Sequence, residues 1–159
     1  MKIFTIGVYG HTEEEFFSLL TNNKIDLFCD IRQRRGVRGS QYRFVNSNYL
    51  QEKLSSLNIN YLYEKALAPT REIREKQWAV DKERHQTKKY RDVLGTVFSA
   101  CYCEQILNDF DLDALMNTIR NTNSENIVFF CVEAKAAACH RSLVANKIGR
   151  EFGLEIVDL

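Results

Sequence analysis

The chain has 159 residues, with 22 Lys or Arg against 21 Asp or Glu, for a formal net charge of +1. A composition of 45% hydrophobic and 27% charged residues suits one globular domain over residues 1–159, since chains near this length bury roughly 68–70% of their unfolded surface around a single core. Disorder is excluded by a single Pro and the lack of any polar tract, and no apolar run approaches the ~20 residues of a membrane span. Met1-Lys2 leads into a strand-like run and then Glu13-Glu14-Glu15, which is no secretory signal. The five cysteines, at 29, 101, 103, 131 and 139, therefore read as reduced thiols of a cytoplasmic protein.

In chain order, Lys2 to Ile6 predicts a first strand, stopped at Gly7. Thr12 caps a helix, with Glu15 completing a capping box and Phe16, Leu19 and Leu20 forming the apolar face. Ile25 to Ile31 is a nearly continuous apolar run, as expected of a parallel strand covered on both faces. A helix over 47–57, a strand over Asn60–Tyr63 and a long helical insertion over about 70–120 follow, the last with Leu112, Leu115, Met116 and Ile119 spaced for burial. Asn126 to Val132 predicts the most apolar strand, His140 to Phe152 a helix ending near Gly153, and Glu155 to Val157 a last strand. This alternation predicts an α/β fold, a Rossmann-like three-layer sandwich with a mainly parallel five-stranded sheet. The insertion is expected at one edge of the sheet or over the strand ends.

Ligands of open α/β sheets bind beyond the carboxyl ends of the strands. Three unusual segments occupy those places. After strand one comes Gly7-Val8-Tyr9-Gly10-His11, from which Gly7 and His11 are taken as substrate-binding residues. After strand two, Asp30 precedes a stretch from Arg32 to Arg43 with five arginines and no acid. Arginine forks pair bidentately with phosphate or carboxylate, so Arg32, Arg35 and Arg38 are candidate anion ligands, and Asp30 is either a catalytic carboxylate or the partner that aims Arg32. After strand four, Cys131-Val132-Glu133 leads through Ala136-Ala137-Ala138 to Cys139-His140-Arg141-Ser142 at a helix start. A helix N-terminus stabilises a thiolate, making Cys131 and Cys139 candidate nucleophiles. Glu133 and His140 are candidate proton-transfer groups, and Arg141 and Ser142 candidate substrate ligands. Phosphatase chemistry is not matched, because the arginine such a loop needs six positions after the cysteine is Ala137. Cys101-x-Cys103 with Cys139-His140 fits no usual zinc spacing, so neither a metal nor another cofactor is expected.

The segment Arg71 to Arg91, with eight basic and four acidic residues, interleaves Trp78, His85 and Tyr90. A solvated helix face is its commoner reading, and a nucleic-acid surface the alternative.

Thr5-Ile6-Gly7, Asp30-x-Arg32, Cys131-x-Glu133 and Cys139-His140-Arg141-Ser142 together resemble the DUF488 family of uncharacterised bacterial and archaeal proteins. Leu67-Ala68-Pro69-Thr70 with its charged helix resembles the middle region of one branch. The resemblance covers essentially the whole chain. It implies a small α/β domain with an active site where these motifs meet, but no particular reaction. Two departures are Val8, where family members often carry a polar residue, and the Ala136–Ala138 run in a loop that is usually polar.

The expected function is thus a transferase or hydrolase acting on a small anionic or nucleotide-like substrate, with nucleic acid as a further candidate partner and no membrane. The rivals are a non-catalytic nucleic-acid-binding module and a thiol redox protein using Cys131 and Cys139.

Overall fold

The computed structural model describes residues 1–159. Strand β1 (Lys2–Ile6) leads to helix α1 (Glu13–Asn22), β2 (Leu27–Asp30), α2 (Ser47–Ser56) and β3 (Asn60–Tyr63). The insertion then contributes α3 (Arg71–Glu83), α4 (Thr96–Tyr102), extended by a π-turn over Cys103–Leu107, and α5 (Leu112–Asn121). Strand β4 (Asn126–Phe130), α6 (His140–Phe152) and β5 (Ile156–Asp158) complete the chain. The five strands form one sheet in the order β3-β2-β4-β1-β5, and every pairing is parallel.

The helix starts follow from local chemistry. Thr12 and Glu15 form the reciprocal capping box, Thr70 caps α3 by accepting from the Ile73 amide, and Asp111 caps α5 by accepting from the Ala114 amide. Helix α6 ends at Gly153, whose φ of +65° is the left-handed conformation that a C-terminal glycine adopts without strain.

Strand residues alternate between two apolar layers. Ile3, Leu27, Cys29, Ile127 and Phe129 face α4, α5 and α6, meeting Tyr102, Met116, Ile119, Val144 and Ile148. Phe4, Ile6, Phe28, Val128 and Phe130 face α1 and α2, meeting Phe16, Leu20, Leu50 and Leu54. Phe16 sits at the centre of the second layer, in contact with the rings of Phe17, Phe28, Phe44 and Phe130. Each such fully buried side chain contributes about 1.5–3 kcal/mol. The insertion is therefore more than an edge feature: α4 and α5 join α6 in one helical layer, while α3, the turns beyond it and Phe98 of α4 reach the cavity at the strand ends.

This winding creates the crevice. The connections after β1 and β2 run to α1 and α2 on one face, whereas the strand between them, β4, sends its chain to α6 on the other. Neighbouring strands with diverging connections leave a gap at their carboxyl ends.

Candidate functional site

Beyond Phe130 the chain leaves the sheet as Cys131, Val132 and Glu133, all buried. The turn after β1 is stitched to this exit: the Val8 and Tyr9 amides both donate to the Val132 carbonyl, at 3.2 and 3.0 Å. Gly7 makes the approach possible, because a Cβ at that position would lie 1.9 Å from the Glu133 carbonyl oxygen. Its contribution is close packing. Arg141, only 1% exposed, braces the same loop from below. Its Nη1 and Nη2 donate to the Glu133 and Ala134 carbonyls at 2.5 and 3.0 Å, and its Nε to the Thr5 hydroxyl at 3.2 Å. The guanidinium is thus occupied by the backbone that carries Glu133 and does not reach the crevice.

Asp30 and Arg32 form a second rigid unit. The fully buried Asp30 carboxylate accepts from Arg32 Nε at 2.8 Å, Arg32 Nη2 at 2.7 Å and the Arg32 amide at 3.1 Å, and also from the Tyr61 hydroxyl at 2.9 Å. Four donors saturate it, so its part here is to aim Arg32. The Arg32 guanidinium lies over the Phe130 ring, 4.6 Å from its centre. Its remaining nitrogen, Nη1, is buried and has no hydrogen-bond partner, the one side-chain nitrogen or oxygen of the protein in that condition.

The thiols, imidazole and carboxylate meet where β4 and α6 face each other across the loop. Ligand atoms of Cys131, Cys139 and His140 all lie within 4.8 Å of one another. Cys139 Sγ donates to Glu133 Oε2 at 2.9 Å and stands 3.8 Å from His140 Nδ1. His140 Nε2 is 3.2 Å from the Ile31 carbonyl, which can only accept, so Nε2 carries the proton and Nδ1 is the free nitrogen of the neutral ring. The neighbouring Cys139 thiol, helped by the His140 ring, holds the Cys131 thiol below the ordinary range despite burial. Burial and the neighbouring sulfur push Cys139 up. Burial would raise the Glu133 carboxyl too, but Lys88, the Cys139 bond and His140 outweigh it and bring it down to about 2. For His140, burial opposes the charged ring, and the Cys131 sulfur and Glu133 carboxylate overcome that effect and raise its pKa.

The insertion closes the other side. Arg91 is fixed by its fork to Asp81, which also accepts from Gln77 Nε2 at 2.8 Å. Arg91 then points back to the site, donating to the Ala138 carbonyl at 3.4 Å and approaching Glu133 Oε1 at 3.8 Å. The half-exposed Lys88 amine reaches the same Glu133 oxygen at 3.3 Å. The Ala136–Ala138 turn has a docking part here: the Leu94 amide donates to the Ala137 carbonyl at 2.9 Å, and Ala138 is fully buried.

Between these walls is a cavity of about 390 Å³, lined by residues that follow β1, β2 and β4 and by the insertion. Its basic side chains are Arg32, Arg34, Arg38, Arg74, Lys88 and Arg91, and its one carboxylate is Glu133. Of the residues singled out in the sequence, Arg32, Arg38, Cys131, Glu133, Cys139 and His140 line it. Asp30 lies behind Arg32, and Gly7 and Arg141 underpin the Glu133 loop. Arg35 instead stacks on the Tyr63 ring, 4.4 Å from its centre. The Ser142 hydroxyl donates to the Cys139 carbonyl at 2.9 Å, and His11 stands at the half-buried start of α1, neither of them in the lining. Arg34 was passed over within the arginine run after β2, and Arg74, Lys88 and Arg91 of the insertion are the other basic lining residues that sequence reasoning did not single out. The only signal for these last three was the surplus of basic residues over Arg71–Arg91.

A family model described as "Domain of unknown function DUF488" matches residues 12–148. The chain belongs to this family. The matched span carries the Asp30-x-Arg32 and Cys131-x-Glu133 elements and Cys139-His140-Arg141-Ser142, the residues that build and brace the cavity. No curated protein and no solved structure gives a significant match. No helix is long and apolar enough to cross a membrane.

Proposed function

We propose that this DUF488 protein is an enzyme, a transferase or hydrolase, that holds a phosphate-bearing or similarly anionic substrate in the cavity at the carboxyl edge of its sheet. The observation that carries the reading is the free Nη1 of Arg32. A buried guanidinium nitrogen without an acceptor costs about 1–3 kcal/mol, and an anionic oxygen would satisfy it. Six basic side chains around one carboxylate focus negative charge into the same space. The thiols, imidazole and Glu133 carboxylate on the adjoining wall supply the groups for chemistry on the bound molecule. A nucleotide-type substrate is favoured over a bare phosphate by Trp78, which is 49% exposed, lines the cavity and has the Arg74 guanidinium 5.9 Å from its ring. Such an indole offers a base a stacking face. The five free thiols suit the reducing cytoplasm.

Calorimetric titration with phosphate, pyrophosphate and AMP at low salt tests the reading. The wild type is expected to bind pyrophosphate and AMP. Lys88→Ala, a change at a half-exposed side chain, should weaken binding roughly tenfold or more, since hydrogen bonds to charged groups contribute ~1.5–3 kcal/mol. Absence of binding, or affinity untouched by both Lys88→Ala and Arg32→Lys, overturns it.

Trp78 and the 70% exposed Tyr90 also favour a second reading, a nucleic-acid-binding module. That reading requires an oligonucleotide to bind far more tightly than AMP, with a salt dependence reflecting several phosphates.

A further inference from the structure

The residues that converge at the end of β4 have the composition of a metal centre. We propose that Cys131, Cys139 and His140 bind a zinc ion, with the fourth coordination position opening into the cavity. The inference rests on these three side chains and stands apart from the anion reading.

Geometry is the first argument. Zinc holds thiolate sulfur at ~2.3 Å and imidazole nitrogen at ~2.0–2.1 Å, so ligand atoms on a tetrahedral ion lie roughly 3.5–3.8 Å apart. Cys139 Sγ is 3.8 Å from His140 Nδ1, and no pair among the three ligand atoms exceeds 4.8 Å. Small side-chain rotations close that gap.

The second argument is the imidazole. Nδ1 faces the sulfurs, and Nε2 is anchored on the Ile31 carbonyl at 3.2 Å. Metal-bound histidines almost always donate their other ring nitrogen to a carbonyl or carboxylate, which fixes the tautomer and aims the lone pair. His140 is held in that arrangement already, with Tyr102 packed edge-on against its ring at 5.4 Å.

Charge is the third. Two thiolates and a neutral imidazole neutralise a divalent ion and select a soft one over magnesium or calcium. Arg141 adds a buried guanidinium that contacts carbonyls and a hydroxyl but no carboxylate, which favours thiolates nearby. The ligands are 1–5% exposed, so the site is preorganised.

Glu133 gains a defined part. Without metal, its Oε2 accepts a hydrogen bond from the Cys139 thiol. On binding, thiol protons leave to solvent and the ion takes their place, which frees Oε2 to accept a hydrogen bond from a water on the fourth position and so orient it, the water's own proton leaving to solvent. All four residues line the cavity, so that water would face the bound substrate. Zinc lowers the pKa of such a water to about 7, giving a hydroxide nucleophile at neutral pH. The centre thereby points to the hydrolase rather than the transferase form of the function.

The test is cobalt titration of the reduced, chelator-treated full chain. One equivalent should bind and produce thiolate-to-cobalt charge transfer together with the strong visible bands of tetrahedral Co(II), and zinc should displace it. Cys131→Ser, Cys139→Ser and His140→Ala should each abolish the signal, while Cys101→Ser and Cys103→Ser keep it. Because the buried variants could fail to fold, alkylation of the wild type gives a second readout. Zinc should slow the reaction of Cys131 and Cys139 tenfold or more and leave Cys101 and Cys103 unchanged. The proposal is overturned by a wild type without thiolate–cobalt absorption, by absorption that survives loss of Cys131 or Cys139, or by a Cys131–Cys139 disulfide forming with zinc present. Pyrophosphate binding measured on the same samples separates the two proposals. Metal uptake without anion binding removes only the proposed function, and anion binding without metal uptake removes only the zinc centre.

Discussion

Asp30→Asn separates a positioning carboxylate from a catalytic one. Asp30 and Arg32 are 0% and 3% exposed, and the carboxylate accepts three hydrogen bonds from Arg32 and one from Tyr61. An asparagine of the same shape keeps one oxygen for Arg32 Nε and the amide, but turns an NH2 toward Nη2 and the Tyr61 hydroxyl, and it leaves the guanidinium charge unpaired. Breaking a buried pair in this way costs ~3–5 kcal/mol. With ~2–4 °C per kcal/mol for a chain of this size, melting should fall by roughly 6–20 °C. Circular-dichroism melts and urea titrations measure this directly. Pyrophosphate should raise the variant's melting temperature more than the wild type's, because Arg32 then lacks its internal counter-ion. A variant within about 1 kcal/mol of wild type that has nonetheless lost all activity would refute the positioning role and make Asp30 catalytic.

Gly7→Ala should destabilise by at least the ~1–3 kcal/mol typical of overpacking, because its methyl meets backbone, the Glu133 carbonyl oxygen at 1.9 Å and carbon at 2.8 Å; equilibrium urea unfolding reads the loss, and a wild-type midpoint contradicts the packing argument. Burial alone would raise the Asp81 carboxyl, but the bonds from Arg91 and Gln77 hold it below the usual range. Its stabilising effect is therefore complete above the ordinary carboxyl pKa and fades as pH falls through the lower folded value. The stability difference between wild type and Asp81→Asn should accordingly be constant near neutrality and shrink below about pH 4, as followed by urea midpoints across pH. Tyr102→Phe deletes a buried hydroxyl that donates to the Leu67 carbonyl at 2.5 Å; a loss of ~1–3 kcal/mol is expected from the carbonyl left bare, and thermal melts showing none would mean that water replaces it.

The fold was legible where local chemistry decides it. The Thr12–Glu15 capping box, the apolar stripe of α5 and the glycine stop of α6 are all written in adjacent residues, and each forms as expected. Strand ends were less legible, because apolar residues continue past the hydrogen-bonded ladder. Strand β4 was expected to reach Val132 but stops at Phe130, where the chain turns to meet the loop after β1. Strand β2 spans Leu27–Asp30 rather than Ile25–Ile31, although both isoleucines are buried. In the site, the two motifs that lie within a dozen residues were visible as chemistry. What sequence could not convey is direction: Arg32 and Arg141 are both buried guanidiniums, yet one keeps a free nitrogen at the cavity wall and the other is consumed by loop carbonyls. Lys88 and Arg91 join the site only through tertiary closure, by the Asp81 fork and the Leu94–Ala137 bond.

That closure also explains how a chain of net charge +1 can present a cation-lined cavity. The arginine-rich loop after β2 contributes less than its count suggests. Arg35 is committed to the Tyr63 ring and two of the three Arg32 side-chain nitrogens to Asp30, which leaves Arg32 Nη1, Arg34 and Arg38 at the cavity. The rest of the positive lining, Arg74, Lys88 and Arg91, comes from the insertion. The thiol, imidazole and carboxylate wall, by contrast, is built wholly from the end of β4 and the start of α6. The basic lining and the thiol, imidazole and carboxylate wall thus come from largely separate pieces of the chain, joined at Glu133, where Lys88 and Arg91 meet the Cys139 thiol. If the proposed function holds, changes along α3 and the turns after it should therefore alter which anion binds while the thiols, imidazole and Glu133 keep their places.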